Sequence, residues 1–172
     1  MLALLDSPLN KAGMLQIFIK TDNNLMIEIN PQIRIPRTYK RFKGLMAQLL
    51  TKLKIRGEHF QEFLMKVIKN DLTKILPIGC KKVSLTTQAK KVDLQEYINK
   101  QKDETMVFAI GAVSQGHPTD CLDYIDDSIC ISKFSLSAAT CCYKLTQCFE
   151  NKWKIDEIDE KNIKEDEEEN KE

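Results

Sequence analysis

The chain has 172 residues, of which 42% are hydrophobic and 30% are charged. A chain of this length can bury one hydrophobic core of ordinary size, so we predict a single folded domain over residues 1–155. The sequence contains no apolar stretch long enough to cross a bilayer, and its first residues lack the pattern of a signal peptide. We therefore expect a soluble intracellular protein with no membrane partner.

The formal net charge of +1 combines two regions of opposite sign. Residues 156–172 contain ten acidic residues and three lysines, which gives −7 for this segment and, by subtraction from +1, +8 for residues 1–155. Such an acidic segment cannot bury enough apolar surface to fold, so we predict a disordered tail over residues 156–172. The basic body favours a polyanionic partner.

The cysteines and histidines do not suggest a metal or hydrolytic site. None of the cysteines forms a CxxC pair, and we interpret them as reduced thiols of the core. His117 with Cys121 is the only suggestive pair of metal ligands, so we predict no metal site. With His59 placed at a predicted helix start, no Ser/His/Asp or Cys/His arrangement is convincing, and hydrolase chemistry is not expected. The six cysteines are Cys80, Cys121, Cys130, Cys141, Cys142 and Cys148.

The first half of the chain predicts a hairpin followed by two helices. The segments MLQIFIK and NLMIEIN flank TDNN, which predicts two strands joined by a turn. After the loop NPQIRIPRTYKRF, Thr38 is a candidate cap for a helix. Apolar residues then repeat with helical spacing at Phe42, Leu45, Met46, Leu49, Leu50 and Leu53. Beyond a break at Gly57, a second helix is predicted from Phe60, Phe63, Leu64, Val67 and Ile68.

The second half of the chain predicts an α/β layer. The apolar runs KKVSLT, MVFAIG and SICIS predict three short buried strands, with a short helix near Leu94 to Ile98. A last helix is predicted from Leu136 to Trp153, with Ser135 as its cap. Its apolar surface covers more than one side, which indicates a helix that is deeply buried or shared with another subunit. The residues of this surface are Ala138, Ala139, Cys141, Cys142, Tyr143, Leu145 and Phe149.

The segment from Ile29 through Gly57 contains no acidic residue. Arginines in a proline-stiffened loop present rigid forks suited to phosphates and base edges, and Tyr39 offers a stacking face. A solvated helix face is the ordinary alternative, but the missing acids favour a nucleic-acid surface. The eight basic residues of the segment are Arg34, Arg37, Lys40, Arg41, Lys43, Lys52, Lys54 and Arg56.

Two further segments are candidate sites. GAVSQG, residues 111–116, follows a predicted strand, where glycines let the backbone approach a ligand at the edge of an open α/β sheet. It matches neither a dinucleotide fingerprint nor a P-loop, and an ordinary turn is the alternative. Asp6 in DSPLN is a carboxylate in a polar loop beside Asn10 and Lys11, and a turn-forming role is its alternative.

Taken in order, five segments of this sequence resemble the ribosomal RNA pseudouridine N1-methyltransferase family: DSPLNKAG, INPQIRIPRTYKRFKGLMAQLL, KVIKN, GAVSQG and ISKFSLSAA. The resemblance covers nearly the whole chain up to Trp153. It implies an α/β fold of the SPOUT type, with helices on both faces of the sheet and a trefoil knot near the carboxyl end. It also implies a homodimer that binds S-adenosylmethionine in the knot.

The function implied by the resemblance is S-adenosylmethionine-dependent N1-methylation of a pseudouridine in small-subunit ribosomal RNA, together with assembly of the small subunit. A non-catalytic RNA-binding assembly factor is the alternative. The resemblance also implies ribosome assembly factors as partners and residence in the nucleolus of the nucleus.

The resemblance assigns roles to individual residues. Asp6 is expected to face the target base as the catalytic residue, and Arg34, Arg37, Lys40 and Arg41 are expected to bind RNA. The cofactor is expected to be lined, mainly through backbone groups, by Ala89, Gly111, Gly116, Ile131, Ser132, Lys133, Phe134, Ser135 and Leu136.

Two departures from the family pattern accompany these assignments. Family members begin with a further strand and a segment that holds an Asp and an Arg, whereas this sequence opens just before DSPLN. From the resemblance we expect either a truncated sequence or a compromised activity. At Ser135 the family pattern usually has a proline, and we expect the change to loosen the cofactor loop slightly.

Overall fold

The computed structural model describes residues 1–57, 62–69, 72–113 and 124–156, and it divides the chain into two units, Met1–Leu76 and Pro77–Glu172. Each unit contains its own sheet. The predictions for His59, Phe60, Gly116, His117 and Cys121 lie outside the described residues, as does the acidic tail after Asp156. In the part of the chain that the structure describes, no helix is both long and apolar enough to cross a membrane.

The first unit is built on a four-stranded antiparallel sheet with the strand order β1-β2-β4-β3. Two short helices, α1 (Leu2–Leu5) and α2 (Pro8–Lys11), precede the sheet. The strands are β1 (Ile17–Lys20), β2 (Met26–Ile29), β3 (Lys54–Arg56) and β4 (Phe63–Ile68), and the long helix α3 (Tyr39–Lys52) connects β2 to β3. A short 3-10 helix, Leu72–Lys74, follows β4.

The predicted hairpin of β1 and β2 is confirmed. Its turn closes when the Thr21 N–H donates to the Leu25 carbonyl at 2.9 Å and the Leu25 N–H donates to the Thr21 hydroxyl at 3.1 Å. Asn24 has a φ of 57°, a left-handed conformation that asparagine tolerates better than most residues do. The TDNN sequence therefore supplies both the hydrogen bonds and the backbone conformation that the turn requires.

The second predicted helix of the first half is wrong, because its described residues Phe63–Ile68 form β4. This strand lies between β2 and β3, with Met65 paired to Ile29 and Val67 paired to Ile27. A short apolar run does not distinguish a buried strand from a helix by its periodicity. The β-branched pair at its end fits the pleated surface of a sheet, and pairing on both sides decides the outcome.

The core of the first unit lies on one face of this sheet. Ile17, Ile29, Met65 and Ile55 are cross-strand neighbours from four strands, and all of them are buried. Helix α3 packs Leu49 onto this row, and Leu49 is 0% exposed, whereas Leu50 is 49% exposed. The predicted α3 is therefore confirmed. Thr38 is at its N-cap position, but the Thr38 side chain makes no capping hydrogen bond.

The second unit contains a three-stranded parallel sheet. Its strands are β5 (Lys81–Leu85), β6 (Met106–Ile110) and β7 (Asp127–Ile129), in the order β6-β5-β7. Helix α4 (Leu94–Asn99) follows β5, and helix α5 (Ala138–Trp153) follows β7. These elements confirm the three predicted strands, the short helix and the mixed α/β class.

The predicted start of the last helix is wrong by two residues. The N-cap of α5 is Ser137, whose hydroxyl accepts a hydrogen bond from the Thr140 N–H at 3.2 Å, and Ser135 precedes the helix. Two serines in alternate positions offer two possible caps, and only the second has its hydroxyl at the first turn. The predicted buried face is confirmed for Cys142, Leu145 and Phe149, whereas Tyr143 is exposed.

The two helices of the second unit are joined near their carboxyl ends by a largely buried amine. The Lys152 Nζ donates to the carbonyl of Ile98 at 3.3 Å and to that of Gln101 at 2.9 Å, and it pairs with Asp103 at 2.9 Å. The hydrogen bond from Lys152 lowers the pKa of Asp103. One lysine thus binds a carbonyl in the last turn of α4 and another just beyond the helix, and ties both to α5.

We predict that Leu49→Ala lowers the free energy of unfolding by about 2 to 5 kcal/mol, because it leaves a cavity under α3. Leu50→Ala is the matched control on the same helix, and it should cost less than about 1 kcal/mol, because Leu50 is half exposed. Urea denaturation followed by circular dichroism measures both values. Equal losses in the two variants would contradict the described orientation of α3.

Candidate functional site

The second unit brings three predicted cofactor segments to one edge of its sheet. Because β6 and β7 both run parallel to β5, all three strands end on the same side. Ala89 follows β5, Gly111 follows β6, and the segment from Ile131 through Leu136 follows β7. Open α/β sheets bind their ligands at this carboxyl edge.

Backbone hydrogen bonds fasten the segment after β5 to the end of β7. The Thr86 N–H donates to the Ile129 carbonyl at 3.0 Å, and the Cys130 N–H donates to the Lys90 carbonyl at 3.0 Å. The Val92 N–H then donates to the Cys130 carbonyl at 2.9 Å. The neighbourhood of Ala89 is therefore held against the segment that carries the other predicted cofactor residues.

The loop after β7 turns around Ser132. The Ser132 hydroxyl accepts from the Phe134 N–H at 3.0 Å, and the Ser132 carbonyl accepts from the Cys130 thiol at 2.9 Å. Within residues 124–156 and the other described ranges, the backbone N–H groups of Lys133 and Ser135 have no hydrogen-bond partner. Because the loop is fixed while some of its donors remain unused, it can offer backbone hydrogen bonds to a ligand.

Exposure differs along the predicted cofactor residues. Half-buried positions line the base of the edge: Ala89, Gly111, Ile131, Ser132 and Leu136. Lys133, Phe134 and Ser135 are exposed at the tip of the loop. Gly116 lies outside the described residues, so its predicted contact stays a prediction.

The first unit carries the predicted basic surface on the loop before α3 and on its first turn. Ile33 and Ile35 are buried, and the exposed Arg34 lies between them. This alternation anchors the loop and directs the arginine outward. Arg37, Lys40 and Arg41 are also exposed. Among the residues that the structure describes, Arg34, Lys40 and Arg41 have no ion-pair partner.

The structure brings the predicted catalytic residue Asp6 next to one of these arginines. The Arg37 Nη atom lies 3.4 Å from the Asp6 carboxylate, and the two side chains are 79% and 59% exposed. An exposed pair of this kind contributes about 0 to 1 kcal/mol to folding. The pair therefore has little structural value, and it leaves both groups open to a partner from solution.

Asn10 fixes the positions of Asp6 and of the basic loop, a role that its sequence position alone did not reveal. The buried Asn10 amide donates to the Leu5 carbonyl at 3.1 Å, next to Asp6, and to the Pro31 carbonyl at 3.0 Å, at the start of the loop. Ser7 caps α2 by accepting from the Asn10 N–H at 3.2 Å. The serine before Pro8 predicts the cap of α2, but no local pattern indicates the side-chain hydrogen bonds of Asn10.

Polar groups at the opposite edge of the parallel sheet satisfy one another. The Tyr97 hydroxyl donates to Asp127 at 2.6 Å, and Lys81 lies 3.6 Å from the same carboxylate. Burial raises the pKa of Tyr97, and the hydrogen bond to Asp127 raises it further. The Lys82 backbone N–H lowers the pKa of Asp126. These contacts hold the starts of β5 and β7 together.

The described cysteines and acidic residues form no metal centre. No group of three or more His, Cys, Asp or Glu side chains converges anywhere in residues 1–57, 62–69, 72–113 and 124–156. Cys80, Cys130, Cys141, Cys142 and Cys148 are free thiols. Burial raises the pKa of three of them, which keeps those thiols protonated and unreactive at neutral pH: Cys141, Cys142 and Cys148.

These features define a class of protein. It is an α/β protein with a parallel sheet whose carboxyl edge is a candidate ligand site in one unit, and with an exposed basic loop beside a carboxylate in the other. A sequence model of the family described as EMG1/NEP1 methyltransferase matches residues 1–150. This chain belongs to that family, which confirms the resemblance seen in its motifs.

Named relatives agree with the family assignment. The Candida glabrata protein called ribosomal RNA small subunit methyltransferase NEP1 is 48% identical over 156 residues, which cover 90% of this chain and 67% of that protein. The human protein of the same name is 44% identical, with 90% of this chain and 62% of the relative covered. The chain spans 58% and 64% of the relatives from Candida albicans and Drosophila melanogaster.

The fold is similar to a crystal structure of Archaeoglobus fulgidus Nep1 bound to S-adenosylhomocysteine. The TM-score is 0.71, and the match covers 87% of this chain and 66% of that chain. The sequence identity is 21%, so this likeness supports the fold and not the identity of individual contacts.

We predict that Asn10→Ala lowers the free energy of unfolding by about 1 to 3 kcal/mol, because the carbonyls of Leu5 and Pro31 lose the donor that joins them. Asn23→Ala in the exposed hairpin turn is the control, and it should change stability by less than about 0.5 kcal/mol. Urea denaturation compares the two. A negligible effect of Asn10→Ala would show that Asp6 and the basic loop are held by other contacts.

Proposed function

We propose that this chain methylates N1 of a pseudouridine in small-subunit ribosomal RNA, uses S-adenosylmethionine as the methyl donor, and takes part in assembly of the small subunit. One observation carries the proposal: in a chain of the EMG1/NEP1 methyltransferase family, the segments around Ala89, Gly111 and Ser132 end at one edge of a parallel sheet. The relatives are named as small-subunit ribosomal RNA methyltransferases. S-Adenosylhomocysteine, held by the similar structure, is what S-adenosylmethionine becomes after it loses the methyl group.

The hydrogen-bond donors and the small residues at the carboxyl edge of the parallel sheet are compatible with such a ligand. The unused N–H groups of Lys133 and Ser135 suit hydrogen-bond acceptors. Ala89 has only a methyl group and Gly111 has no side chain, so the backbone at both positions lets a flat ring approach closely. When bound, S-adenosylmethionine supplies a methyl group already activated on a sulfonium. The chain therefore needs mainly to bind the cofactor and the target base, to orient them, and to exclude water.

In this proposal, Asp6 takes the proton from the target base, and Arg37 binds the RNA phosphates. The exposed Asp6 carboxylate is within reach of an unpaired or flipped nucleotide, and it would accept the N1 proton as a general base. RNA phosphates would compete for Arg37, because a guanidinium binds phosphate as a bidentate fork. Binding of RNA would thus draw Arg37 away from Asp6 and leave the carboxylate free to take the proton.

The proposal extends to the trefoil knot, the homodimer, contact with ribosome assembly factors and residence in the nucleolus. Each of these rests on the resemblance of the sequence motifs to the family. Two exposed positions on α5, Ala139 and Tyr143, are also consistent with a second subunit covering this side of the helix.

Cofactor binding is the experiment that tests the proposed function. Titration calorimetry of the purified chain with S-adenosylmethionine and with S-adenosylhomocysteine should give measurable affinity for both, and ATP is the control for adenosine recognition alone. RNA binding without any cofactor binding would contradict the enzyme and favour the non-catalytic RNA-binding assembly factor.

We predict that Asp6→Asn slows methyl transfer by about a hundredfold or more, the usual scale for losing a general base. Asparagine keeps the shape of the side chain, and the exposed pair with Arg37 contributes little to folding, so stability and cofactor affinity should remain. Asp22→Asn in the hairpin turn is the matched control. Single-turnover methylation at the parental rate would show that Asp6 is a turn residue and that orientation alone carries the reaction.

A further inference from the structure

A second group of cations lies at the far end of α3, and we call it the β3 basic cluster. It consists of Lys52 in the last turn of α3, Lys54 and Arg56 on β3, and Lys66 on the neighbouring β4. Lys52, Lys54 and Arg56 are exposed. Helix α3 has 14 residues, so about 21 Å of helix separates this cluster from the basic surface near Arg37.

The folding of the sheet does not account for the charges of this cluster. Lys54 and Lys66 are direct cross-strand partners, and like charges in that position destabilise a sheet. Lys66 pairs with Glu28 at 3.0 Å, which balances one charge. Among the described residues, no acidic side chain pairs with Lys52, Lys54 or Arg56. Within residues 1–57, 62–69 and 72–76 of the first unit, these three positive charges are therefore not balanced by an ion pair.

An aromatic ring orders two of these cations. The Lys54 Nζ lies 5.1 Å from the centre of the Phe63 ring, and the Arg56 guanidinium carbon lies 4.5 Å from it. Side chains that are already held in place lose less rotamer freedom when they bind a ligand. The ring therefore prepares both cations for an anion.

The turn between α3 and β3 places apolar surface beside the cations. Leu53 has a φ of 60°, a left-handed conformation that glycine adopts more easily, and its carbonyl accepts from the Val67 N–H at 2.8 Å. Leu53 is 47% exposed, and Leu50 on the preceding turn is exposed to a similar degree. Cations next to apolar side chains suit a nucleic-acid strand, which presents phosphates together with ribose and base faces.

We propose that the β3 basic cluster is a second RNA-binding site, which holds the phosphodiester backbone of RNA that flanks the methylated nucleotide. This inference rests on the proposed function, because it assumes that the chain binds RNA through the surface around Arg37. A short RNA that occupies only that surface does not reach the cluster, whereas a longer RNA does. The cluster binds phosphates, so its affinity is independent of the flanking sequence.

The test compares two RNAs on the full chain: a hairpin limited to the target loop, and the same hairpin extended at both ends by about ten single-stranded nucleotides, a usual length for a single-strand groove. The longer RNA should bind more tightly to the parental chain. The double variant Lys54→Gln with Arg56→Gln should weaken binding of the longer RNA by about tenfold and of the short RNA by less than about twofold. A plot of the logarithm of the RNA-binding constant against the logarithm of the salt concentration has a negative slope. This slope should become less steep by about 0.7 for each phosphate that the variant no longer binds.

The matched control is Lys20→Gln with Lys74→Gln, which removes the same charge from exposed positions of the same unit. It should leave both affinities close to the parental values. Lys52→Gln, at an exposed helix position, repeats the test with a single change that does not touch the sheet. Thermal melting confirms that each variant is folded.

The outcomes separate this inference from the proposed function. Arg37→Ala should weaken binding of both RNAs, and if it weakens neither, the RNA surface of the proposed function fails. The β3 basic cluster is overturned if its variants weaken binding of both RNAs equally or match the lysine control. Unchanged RNA affinity in all cluster variants would also overturn it.

Discussion

The parallel pairing of β5 with both β6 and β7 is the constraint on which the proposed cofactor site depends. Parallel strands carry their carboxyl ends to the same edge, so segments that are up to 47 residues apart in sequence, from Ala89 to Leu136, become neighbours. An antiparallel pairing of either strand would place its following loop at the opposite edge. The sheet brings the loops together, so the loops themselves need no long sequence motif to lie side by side.

In the first unit the corresponding constraint is a single buried amide. Asn10 joins the end of α1 to the start of the arginine loop, and both Asp6 and Arg37 are exposed near the segments that it connects. A catalytic carboxylate and RNA-binding arginines must be accessible, so they contribute little to stability themselves. In the proposed site, buried residues such as Asn10 determine the positions of these exposed groups.

The sequence predicts the helices and strands that follow from a local pattern of residues. It fails where the structure of a segment depends on pairing with segments elsewhere in the chain. The hairpin, α3, α4 and the three parallel strands follow from periodicity and turn residues. The periodicity of Phe63–Ile68 favours a helix, whereas its strand identity comes from pairing with β2 and β3. Ser135 and Ser137 satisfy the same capping rule, so the sequence alone does not choose between them. Family motifs assign the site residues, and neither the Asp6–Arg37 pair nor the role of Asn10 is encoded in a local pattern.

The position of Trp153 has a consequence for spectroscopy. It is the only tryptophan of the chain, and it lies in the second unit, where it packs on Phe149 and its indole N–H donates to Asp103 at 3.4 Å. Tryptophan emission therefore reports on the packing of α5. Circular dichroism senses the backbone of both units. Recording the two signals on one denaturant series tells whether the units lose their structure in one cooperative transition or in two.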